Sequence, residues 1–394
     1  MGLNNMKVYP KLLHCLHHPT ALLPGAPRGI IRDIDGWVIN RQHGDPVLLR
    51  QGPQHVKWPD RGEEIRTLPP ARAAHPKFPF ESIPWRVLVT SPTALYRLKK
   101  ARIIGREGTV ISPDNCVIEA FTYTDTEDNL ASHSIFRRRR FPKPKALRGT
   151  YATITYPSSF AWYHWVTESL PRLRLLQPWL DAIDGLFIPA DTEPQLQQSL
   201  EAMGVRQDQL IPLEIGDHFE PEYLLVPRYC AGLNIPSWVP LYLQESIGFA
   251  SKDQSKPQRK LYISRSDAGK RRIVNESEIL PLLKHAGFEI ICLRNFSFLE
   301  QARMFHEAAW VIAPHGAGLV NVLWSQPGVQ VLELSPSVND SPGLFHSITS
   351  CVGGIYWWLP GASRGPENAP TIHQDFEIDL SRFAEALMHT GADQ

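Results

Sequence analysis

A histidine and two glycines interrupt an apolar stretch in the last third of the chain. In VIAPHGAGLVNVLW, residues 311–324, a strand-like run gives way to a turn and then a helical pattern, and the turn is His315, Gly316, Ala317 and Gly318. Unpaired amides at a helix N-terminus favour a phosphate, and glycine lets the backbone approach it closely. The turn therefore predicts a phosphate site to which His315 adds a donor, with a tight turn around a packing histidine as the alternative.

Basic residues follow a second strand-like run, KLYIS. The segment SRSDAGKRR carries Arg265, Arg271 and Arg272, and guanidinium groups bind diphosphates through paired donors. A solvated basic loop is the alternative. Glu333 ends the strand-like run VLEL, where a carboxylate suits sugar or ribose hydroxyls or caps a neighbouring helix. Together with the glycine turn, these residues predict a pocket for a nucleotide diphosphate.

A histidine and a glutamate stand four residues apart in the helical pattern WYHWVTESLPRLRLL. This spacing puts His164 and Glu168 on one helix face, and Arg172 continues the stripe. Either residue can act as a general base, or Glu168 can orient and polarise His164. A buried pair that fixes the helix on a sheet is the first alternative. A metal-ligand pair is the second, for which no third ligand at zinc-like spacing is evident.

The elements that position these residues alternate regularly after residue 260. The strand-like runs KLYIS, FEIICL, WVIAP and VQVLEL are separated by helical patterns. Asn275 with Glu278, and Ser297 with Glu300, have the spacing of capping boxes at two helix starts. Such alternation predicts a parallel sheet covered on both faces, with ligands beyond the carboxyl ends of its strands.

The length of 394 residues favours two domains. Weak periodicity and abundant Pro, Gly and His predict an irregular start, and ARIIGREGTVISPDNCVIEAFTY predicts a β-meander. The predicted division is an irregular region 1–80, a first domain 81–249, a linker 250–260, a second domain 261–360, and a tail 361–394. The tail carries an amphipathic helix that we expect to pack back on the first domain.

Composition narrows the class of protein. The chain is 43% hydrophobic and 21% charged with a formal net charge of +1, which argues against a general nucleic-acid binder. Five cysteines without a Cys-x-x-Cys pair suit a reducing compartment. The first residues support neither a signal peptide nor a membrane span, so we expect a cytoplasmic protein. The run Arg137–Arg140 is a solvated loop or contacts an anionic lipid at the inner face of the membrane or a phosphorylated, lipid-linked acceptor.

Three segments resemble the motif blocks of glycosyltransferase family 61, whose bacterial members are often capsular polysaccharide biosynthesis proteins. They are YHWVTESLPRLRLL, LYISRSDAGKRRIVNESEILPLLKHAGFEII and LEQARMFHEAAWVIAPHGAGLVNVLWSQPGVQVLEL. The resemblance implies an α/β protein of the GT-B type, with two Rossmann-like domains facing across a cleft. The first 80 residues lie outside the resemblance, and their composition predicts an irregular or β-rich N-terminal extension. It also implies inverting transfer from a nucleotide sugar, usually a UDP-sugar, to a saccharide or lipid-linked saccharide. No metal or other cofactor is obligatory.

The resemblance assigns roles by position. The nucleotide-side loop of the family matches His315–Gly318 with Asn321, and its basic positions match Arg265 and either Arg271 or Arg272. The first block, on the acceptor side, matches Tyr163, His164, Trp165 and Glu168. His164 or Glu168 would then be the base, and the glycine-turn amides and arginines would stabilise the leaving diphosphate. The competing hypotheses are a non-catalytic nucleotide- or glycan-binding scaffold of a polysaccharide assembly complex, and a phosphate-handling enzyme that shares only the second domain.

Overall fold

The described part of the computed structural model contains two large β-sheets, called the first and the second sheet, and two small sheets of two strands each. The structure describes residues 25–41, 44–45, 65–68, 71–74, 87–90, 93–122, 133–190, 193–229, 235–249, 256–337, 343–366 and 370–394. In chain order the strands are β1 (Gly29–Ile31), β2 (Gly44–Asp45), β3 (Ile65–Thr67), β4 (Arg72–Ala73), β5 (Val87–Val89), β6 (Ala94–Lys99), β7 (Arg102–Ile104), β8 (Thr109–Ile111), β9 (Cys116–Ile118), β10 (Lys145–Thr153), β11 (Gly185–Pro189), β12 (Leu210–Leu213), β13 (His218–Arg228), β14 (Arg259–Ile263), β15 (Glu289–Ile291), β16 (Ala308–Pro314), β17 (Gln330–Ser335), β18 (Ile355–Pro360), β19 (Ala362–Ser363) and β20 (Phe376–Glu377).

The described helices are short. They are α1 (Ile34–Arg41), α2 (Trp162–His164), α3 (Arg172–Leu176), α4 (Pro194–Ala202), α5 (Trp238–Ser246), α6 (Glu276–His285), α7 (Phe298–His306), α8 (Leu344–Cys351) and α9 (Leu380–Thr390). A π-helical segment, Trp165–Ser169, follows α2 directly. The 3₁₀ turns are Glu119–Phe121, Ser134–Arg137, Gln177–Trp179, Gln207–Gln209, Leu293–Asn295, Ala317–Trp324 and Thr371–His373. None of the helices in these described ranges is long and apolar enough to cross a membrane.

The second sheet is parallel throughout, as the alternating pattern predicts. Its strand order is β15-β14-β16-β17-β18-β4. The four predicted strands correspond to β14, β15, β16 and β17. Strand β14 begins at Arg259, inside the end of the predicted linker, and linker residues 250–255 lie outside the described residues.

Side chains on the second sheet alternate between two apolar layers. Tyr262, Ile312 and Leu332 pack on the face covered by α6 and α9. Their neighbours along the strands, Leu261 and Val311, pack on the opposite face, which α7 covers. Each fully buried apolar side chain contributes about 1.5–3 kcal/mol. The sheet is therefore fixed on both faces, as parallel sheets usually are.

One of the two predicted capping boxes forms. The Ser297 amide donates to Glu300 at 2.8 Å, and the reciprocal bond of the box is also present at the start of α7. The prediction for Asn275 with Glu278 is wrong, because the Asn275 side chain pairs with the backbone of Ile378 instead, at 2.8 and 3.0 Å. That pair fastens the C-terminal tail to the start of α6.

The tail helix α9 packs on the second sheet, not on the first domain as predicted. Its apolar residues Phe383 and Leu387 belong to the same buried cluster as Leu283 of α6 and Trp357 of β18. Asp379 caps the helix by accepting from the Arg382 amide at 3.0 Å. The sheet face next to α6 needs a second helical cover, and the amphipathic tail supplies it.

The first sheet is mixed. Strands β13, β10, β11 and β12 are parallel neighbours, whereas β6 and β7 run antiparallel to β13. The predicted meander is confirmed as β7, β8 and β9. Both halves of the molecule are thus α/β, but the first sheet departs from the purely parallel sheet of a Rossmann unit.

The described parts of the first 80 residues are more regular than the sequence suggests. Strand β1 pairs with β9 in the first sheet, and β4 extends the second sheet beside β18. Because β4 pairs with a strand almost 300 residues later, no local pattern reveals it. The early chain therefore contributes to both sheets.

One apolar core joins the two halves. Leu186 and Ile188 of the first sheet belong to the same buried cluster as Val311 and Val331 of the second, with the helical segment around Trp165 between them. Trp162 adds a polar link, since its indole nitrogen donates to Asn321 at 2.8 Å. The halves are packed together behind the site described next.

Candidate active site

The predicted phosphate site lies where the strand order of the second sheet reverses. Along the chain, the first five strands of this unit take the spatial order 2-1-3-4-5, so the reversal falls between β14 and β16. Ligands of open α/β sheets bind beyond the carboxyl ends of the strands at such a point. Arg265 follows β14 and His315 follows β16. The fold therefore brings the two predicted motifs side by side.

Arg265 lies directly against the glycine turn. A Cβ atom added at Gly316 would overlap the Arg265 guanidinium, so any other residue at 316 would displace it. The guanidinium donates to the Lys270 carbonyl at 3.1 Å, while its buried Nε has no partner among the described residues. Burial, and then the positive charge of Arg271, lower the pKa of Arg265 to about 10. A bound anion would relieve both effects.

Arg271 and Arg272 have different surroundings, which decides between them. Arg272 is half-exposed and forms a two-pronged pair with Asp375, at 2.7 and 3.0 Å. Arg271 makes no ion pair within the described part of the chain, and its Nε is buried without a partner. Burial lowers the pKa of Arg271, and the charge of Glu333 opposes the shift. Arg271, not Arg272, therefore stands beside Arg265 as the second free cation.

The backbone at Arg271 is strained. Its φ of +60° lies in the left-handed region, which non-glycine residues adopt at a cost of about 1–3 kcal/mol. Strain of this kind is common where a loop positions a ligand-binding group.

Glu333 is a support for His315 and not a contact for a sugar. Only 2% of Glu333 is exposed. One carboxylate oxygen pairs with Nδ1 of His315, and the other accepts the Tyr356 hydroxyl at 2.5 Å. Neither predicted role, hydroxyl binding or helix capping, fits this geometry. The pairing fixes the His315 ring and leaves Nε2 as its other polar atom.

The glycine turn opens a 3₁₀ helix, Ala317–Trp324, where a short helix was predicted. The first amides of a helix have no acceptor inside it. Ala317 and Gly318 line a cleft of about 300 Å³ together with Arg265. Asn321 does not reach this cleft, because its side chain is fully buried between Trp162 and Gln301, at 2.8 and 3.0 Å. Its observed role is to join the two halves.

The cleft has a wall from each half of the molecule. The first half contributes Trp162 and, from the start of α4, Glu193, Gln195 and Leu196. The second half contributes the end of β14, the loops that follow β14, β15 and β16, and Gln301 of α7. Of the predicted site residues, Arg265, Ala317 and Gly318 line this cleft, and Trp162, which lines it from the first half, lies two residues before His164.

His164 and Glu168 lie on the predicted helical segment, which is irregular. After α2 the chain widens into the π-helix Trp165–Ser169, where the Leu170 amide bonds to the Trp165 carbonyl at 2.9 Å, and Pro171 interrupts the helix. His164 is partly exposed, whereas Glu168 is buried. Short π-helices are frequent at functional sites.

Ring contacts connect this segment to His315. The Phe345 ring lies 5.2 Å from the His315 ring and 6.1 Å from the Tyr163 ring, which in turn lies 5.2 Å from the ring of His164. Loss of hydration, with the charge of Glu168, raises the pKa of Tyr163 far above its usual value. Tyr163 and His164 are thus linked to His315 through the Phe345 ring, with Glu168 close enough to act on Tyr163.

Two predicted acceptor-side residues serve packing instead. Trp165 is fully buried, and its indole donates to the Ser199 hydroxyl at 2.9 Å. Arg172 is also buried, and its terminal nitrogens donate to the carbonyls of Thr155 and Tyr229, at 2.8 and 2.6 Å. Because these side chains are enclosed by protein, neither is placed to contact an acceptor.

The C-terminal tail adds residues that the sequence did not single out. His373 lies 3.5 Å from the Lys270 amine, and desolvation with the charges of Lys270, Arg271 and His315 lowers its pKa. Asp375 holds Arg272. Both lie about 100 residues after the basic loop, so no local spacing could have linked them to it. Among the described residues, no group of three or more His, Cys, Asp or Glu side chains is arranged to hold a metal ion.

Comparison with protein families accounts for this combination of a glycine turn, paired arginines and a His-Glu helix. Residues 162–332 match the family described as Glycosyltransferase 61. This stretch, somewhat less than half of the chain, is similar to glycosyltransferase 61. A search of curated proteins finds no match to the chain.

The glycosyltransferase 61 match begins at Trp162 and so includes His164 and Glu168 of the first half. It continues through the basic loop and the glycine turn and ends at Leu332, one residue before Glu333. The resemblance inferred from the sequence is confirmed over this range. The match supports glycosyl transfer in general.

Proposed function

We propose that the protein is an inverting glycosyltransferase that moves a sugar from a nucleotide diphosphate, most suitably a UDP-sugar, to a saccharide acceptor. The observation that carries the proposal is the pair of half-buried guanidinium groups, Arg265 and Arg271, without a carboxylate partner among the described residues. Arg265 lies against the glycine turn at the strand-order reversal, and the charge of Arg271 is near enough to lower the pKa of Arg265. Two neighbouring, half-buried cations with unused donors favour a dianionic ligand.

On the donor side, these residues would stabilise the departing diphosphate. The amides of Gly316, Ala317 and Gly318 and the two guanidinium groups supply donors that are fixed before the reaction begins. His315, oriented by Glu333, adds its Nε2. This positive charge supports a mechanism in which no metal or other cofactor is obligatory.

On the acceptor side, we propose His164 as the base. His164 is partly exposed, whereas Glu168 is buried, so only His164 is placed to touch an acceptor hydroxyl. Glu168 would polarise the local network, an effect supported by the influence of its charge on Tyr163. A base on one face of the sugar and a leaving group on the other give inversion.

The arrangement supports a GT-B type enzyme, with a sheet in each half and a cleft between them. In this proposal the cleft boundary separates an acceptor-side domain near 81–249 from a donor-side domain near 261–360. The biological setting we propose is cytoplasmic synthesis of a capsular or other surface polysaccharide, on a free or lipid-linked saccharide.

Nucleotide binding and donor hydrolysis test the function. A thermal-shift panel of UDP, GDP, CMP and their sugars should show stabilisation by one nucleotide, because a ligand of the folded state raises its stability. Slow release of free sugar from the matching donor should follow. A chain that binds the nucleotide but never hydrolyses the donor, with any saccharide added, would instead be a non-catalytic scaffold. Absence of binding to every nucleotide would contradict the proposal.

A further inference from the structure

A second cleft lies in the first half of the molecule. It encloses about 370 Å³ and is formed by the β7–β8 hairpin, the 3₁₀ turn Ser134–Arg137, and the turn that leads into α2. Its lining residues with polar or aromatic groups are Arg106, Glu107, Thr109, Ser134, Arg138 and Phe160. The glycosyltransferase 61 match begins at Trp162 and includes none of these residues.

Arg106 and Phe160 form the most distinctive part of this cleft. The Arg106 guanidinium lies 4.3 Å from the centre of the Phe160 ring. Its Nε is buried and has no hydrogen-bond partner in the described part of the chain. Phe160 is 40% exposed and Ile215, on the opposite edge, is 69% exposed. Apolar surface next to an unsatisfied cation suits a ligand with a ring face and an anionic group.

Arg138 supplies a second cation. Its guanidinium donates to the Ile215 carbonyl and lies beside Gly105, which leaves room for it. Burial lowers the pKa of Arg138, and the charge of Glu107 opposes that shift. Burial, with the charge of Arg137, lowers the pKa of His133 to about 4, so this neighbour is neutral at physiological pH. Arg106 and Arg138 share the cleft with one carboxylate, that of Glu107, and the exposed Arg137, Arg139 and Arg140 add positive charge nearby in the chain.

The second cleft adjoins the first through one short segment. Phe160 lines the second cleft and Trp162 lines the donor cleft. Two residues span at most about 7 Å along the chain, and four span at most about 14 Å. His164, the proposed base, is therefore within about 14 Å of Phe160 along the chain. A saccharide held in the second cleft has only this distance to cover to reach the base.

We propose that the second cleft binds an acidic sugar of the acceptor, with a carboxylate or phosphate on Arg106 and Arg138 and the sugar ring near Phe160. This inference rests on the proposed function, because it treats the neighbouring cleft as the donor site. It assigns the acceptor to the class of acidic saccharides, such as uronic-acid or phosphorylated sugars. Glu107 then faces hydroxyl groups, for which a carboxylate is a suitable acceptor.

The test compares three small probes by titration calorimetry or ligand-observed NMR, with and without UDP. Methyl β-glucuronide and glucose 6-phosphate are the acidic probes, and methyl β-glucoside is the neutral one. We expect the acidic probes to bind at least about tenfold more tightly than the neutral one, the scale of charged hydrogen bonds. Comparison of the two acidic probes shows whether the site prefers a carboxylate or a phosphate.

Variants locate the binding. Arg106→Gln and Arg138→Gln should each weaken acidic-sugar binding about tenfold. Arg206→Gln is the matched control, because Arg206 is exposed, is paired with Asp208, and lies in the same half. Melting temperature checks the fold of each variant. Because glucose 6-phosphate could also enter the donor cleft, Arg271→Gln is included and should retain acidic-sugar binding.

Each outcome decides the proposal. Equal binding of the neutral and acidic probes, or acidic-sugar binding that is unchanged in both Arg106→Gln and Arg138→Gln, would overturn it. Acidic-sugar binding lost in Arg271→Gln but kept in Arg106→Gln would place the sugar in the donor cleft and also overturn it. Suppose that no nucleotide binds, but acidic sugars bind and Arg106→Gln weakens that binding. The proposed function then fails, whereas the second cleft is retained as an acidic-sugar site.

Discussion

Arginines occur on both sides of the central cleft, and the partners of their terminal nitrogens distinguish their roles. In the first half, Arg172 is buried, gives both terminal nitrogens to backbone carbonyls and lies over the Tyr156 ring. In the second half, Arg265 and Arg271 are half-buried; Arg265 gives one terminal nitrogen to a carbonyl, and Arg271 makes no ion pair among the described residues. Buried polar groups are normally satisfied. Terminal nitrogens that both have acceptors therefore indicate a structural arginine, and terminal nitrogens that remain available in the described structure indicate an arginine that binds a ligand.

The largest expected effect concerns His164, in the first half of the molecule. His164→Ala should lower the rate of sugar transfer by about 10²- to 10⁴-fold, the usual contribution of a general base, while nucleotide affinity stays the same. His285→Ala is the control, because His285 is exposed at the end of α6. Steady-state kinetics with a matched donor and acceptor measure the effect. A fully active His164→Ala enzyme would remove His164 from the mechanism.

Arg172→Met should cost stability rather than binding. The substitution leaves two buried carbonyls without their donor, and each unsatisfied group costs about 1–3 kcal/mol. We expect a loss of about 2–4 kcal/mol in the free energy of unfolding, measured by urea denaturation, with nucleotide affinity retained in the folded protein. Arg206→Met, at an exposed position, should change stability by no more than about 0.5 kcal/mol. An Arg172→Met variant that is as stable as the unmodified protein but no longer binds nucleotide would contradict a structural role for Arg172.

Stability of the first half should also depend on pH through His133. Its pKa is lowered by burial to about 4, from about 6.5 when unfolded. Below pH 6.5 the unfolded chain gains a proton that the native ring does not, so stability falls as the pH drops to 4. The expected loss is about 3 kcal/mol. Nδ1 accepts from the Ile135 amide, and protonation would end that bond. His133→Gln should remove this part of the pH dependence, and an unchanged profile would contradict the assignment.

Arg271 and Arg272, in the second half of the molecule, can be compared directly. Arg271→Gln should weaken nucleotide binding about 10- to 100-fold, as expected for a hydrogen bond to a charged group. Arg272→Gln should change it by less than about twofold, because Arg272 is held by Asp375. Isothermal titration with the nucleotide identified in the thermal-shift panel measures both. Equal losses in the two variants would show that the two side chains are not distinguished in this way.

The smallest expected effect concerns the support of His315. Tyr356→Phe removes one hydrogen bond to Glu333 and leaves the aromatic ring in place. Nucleotide affinity should fall about two- to fivefold, in line with the loss of a single supporting bond of about 0.5–1 kcal/mol. Glu333→Gln should have a larger effect, since it changes the direct partner of His315. A larger loss of affinity in Tyr356→Phe than in Glu333→Gln would contradict the proposal that Tyr356 acts on His315 through Glu333.

Much of the second half could be predicted from the sequence because its elements are local. Strands and helices alternate within a few residues of each other, and the glycine turn and basic loop each lie within one connection. The parallel sheet brings them together through a general rule about strand ends. The α/β class and the position of Arg265 beside the glycine turn follow from such short-range patterns.

Other features depend on contacts that are remote in sequence. The pairings of β1 with β9 and of β4 with β18 join distant segments, and the mixed first sheet depends on β13 meeting strands on both sides. Arg271 and Arg272 could not be told apart from the sequence, because the partner that holds Arg272, Asp375, lies far along the chain. The family resemblance assigned Trp165 to the acceptor side and helical spacing added Arg172, but neither could show that tertiary packing encloses these side chains.

Crystals of the protein soaked with UDP test the central claim most directly. The account predicts the diphosphate within hydrogen-bond distance of Arg265, Arg271 and the amides of Gly316–Gly318, with His315 Nε2 beside it. A diphosphate bound elsewhere, with these residues unchanged and facing solvent, would contradict the account.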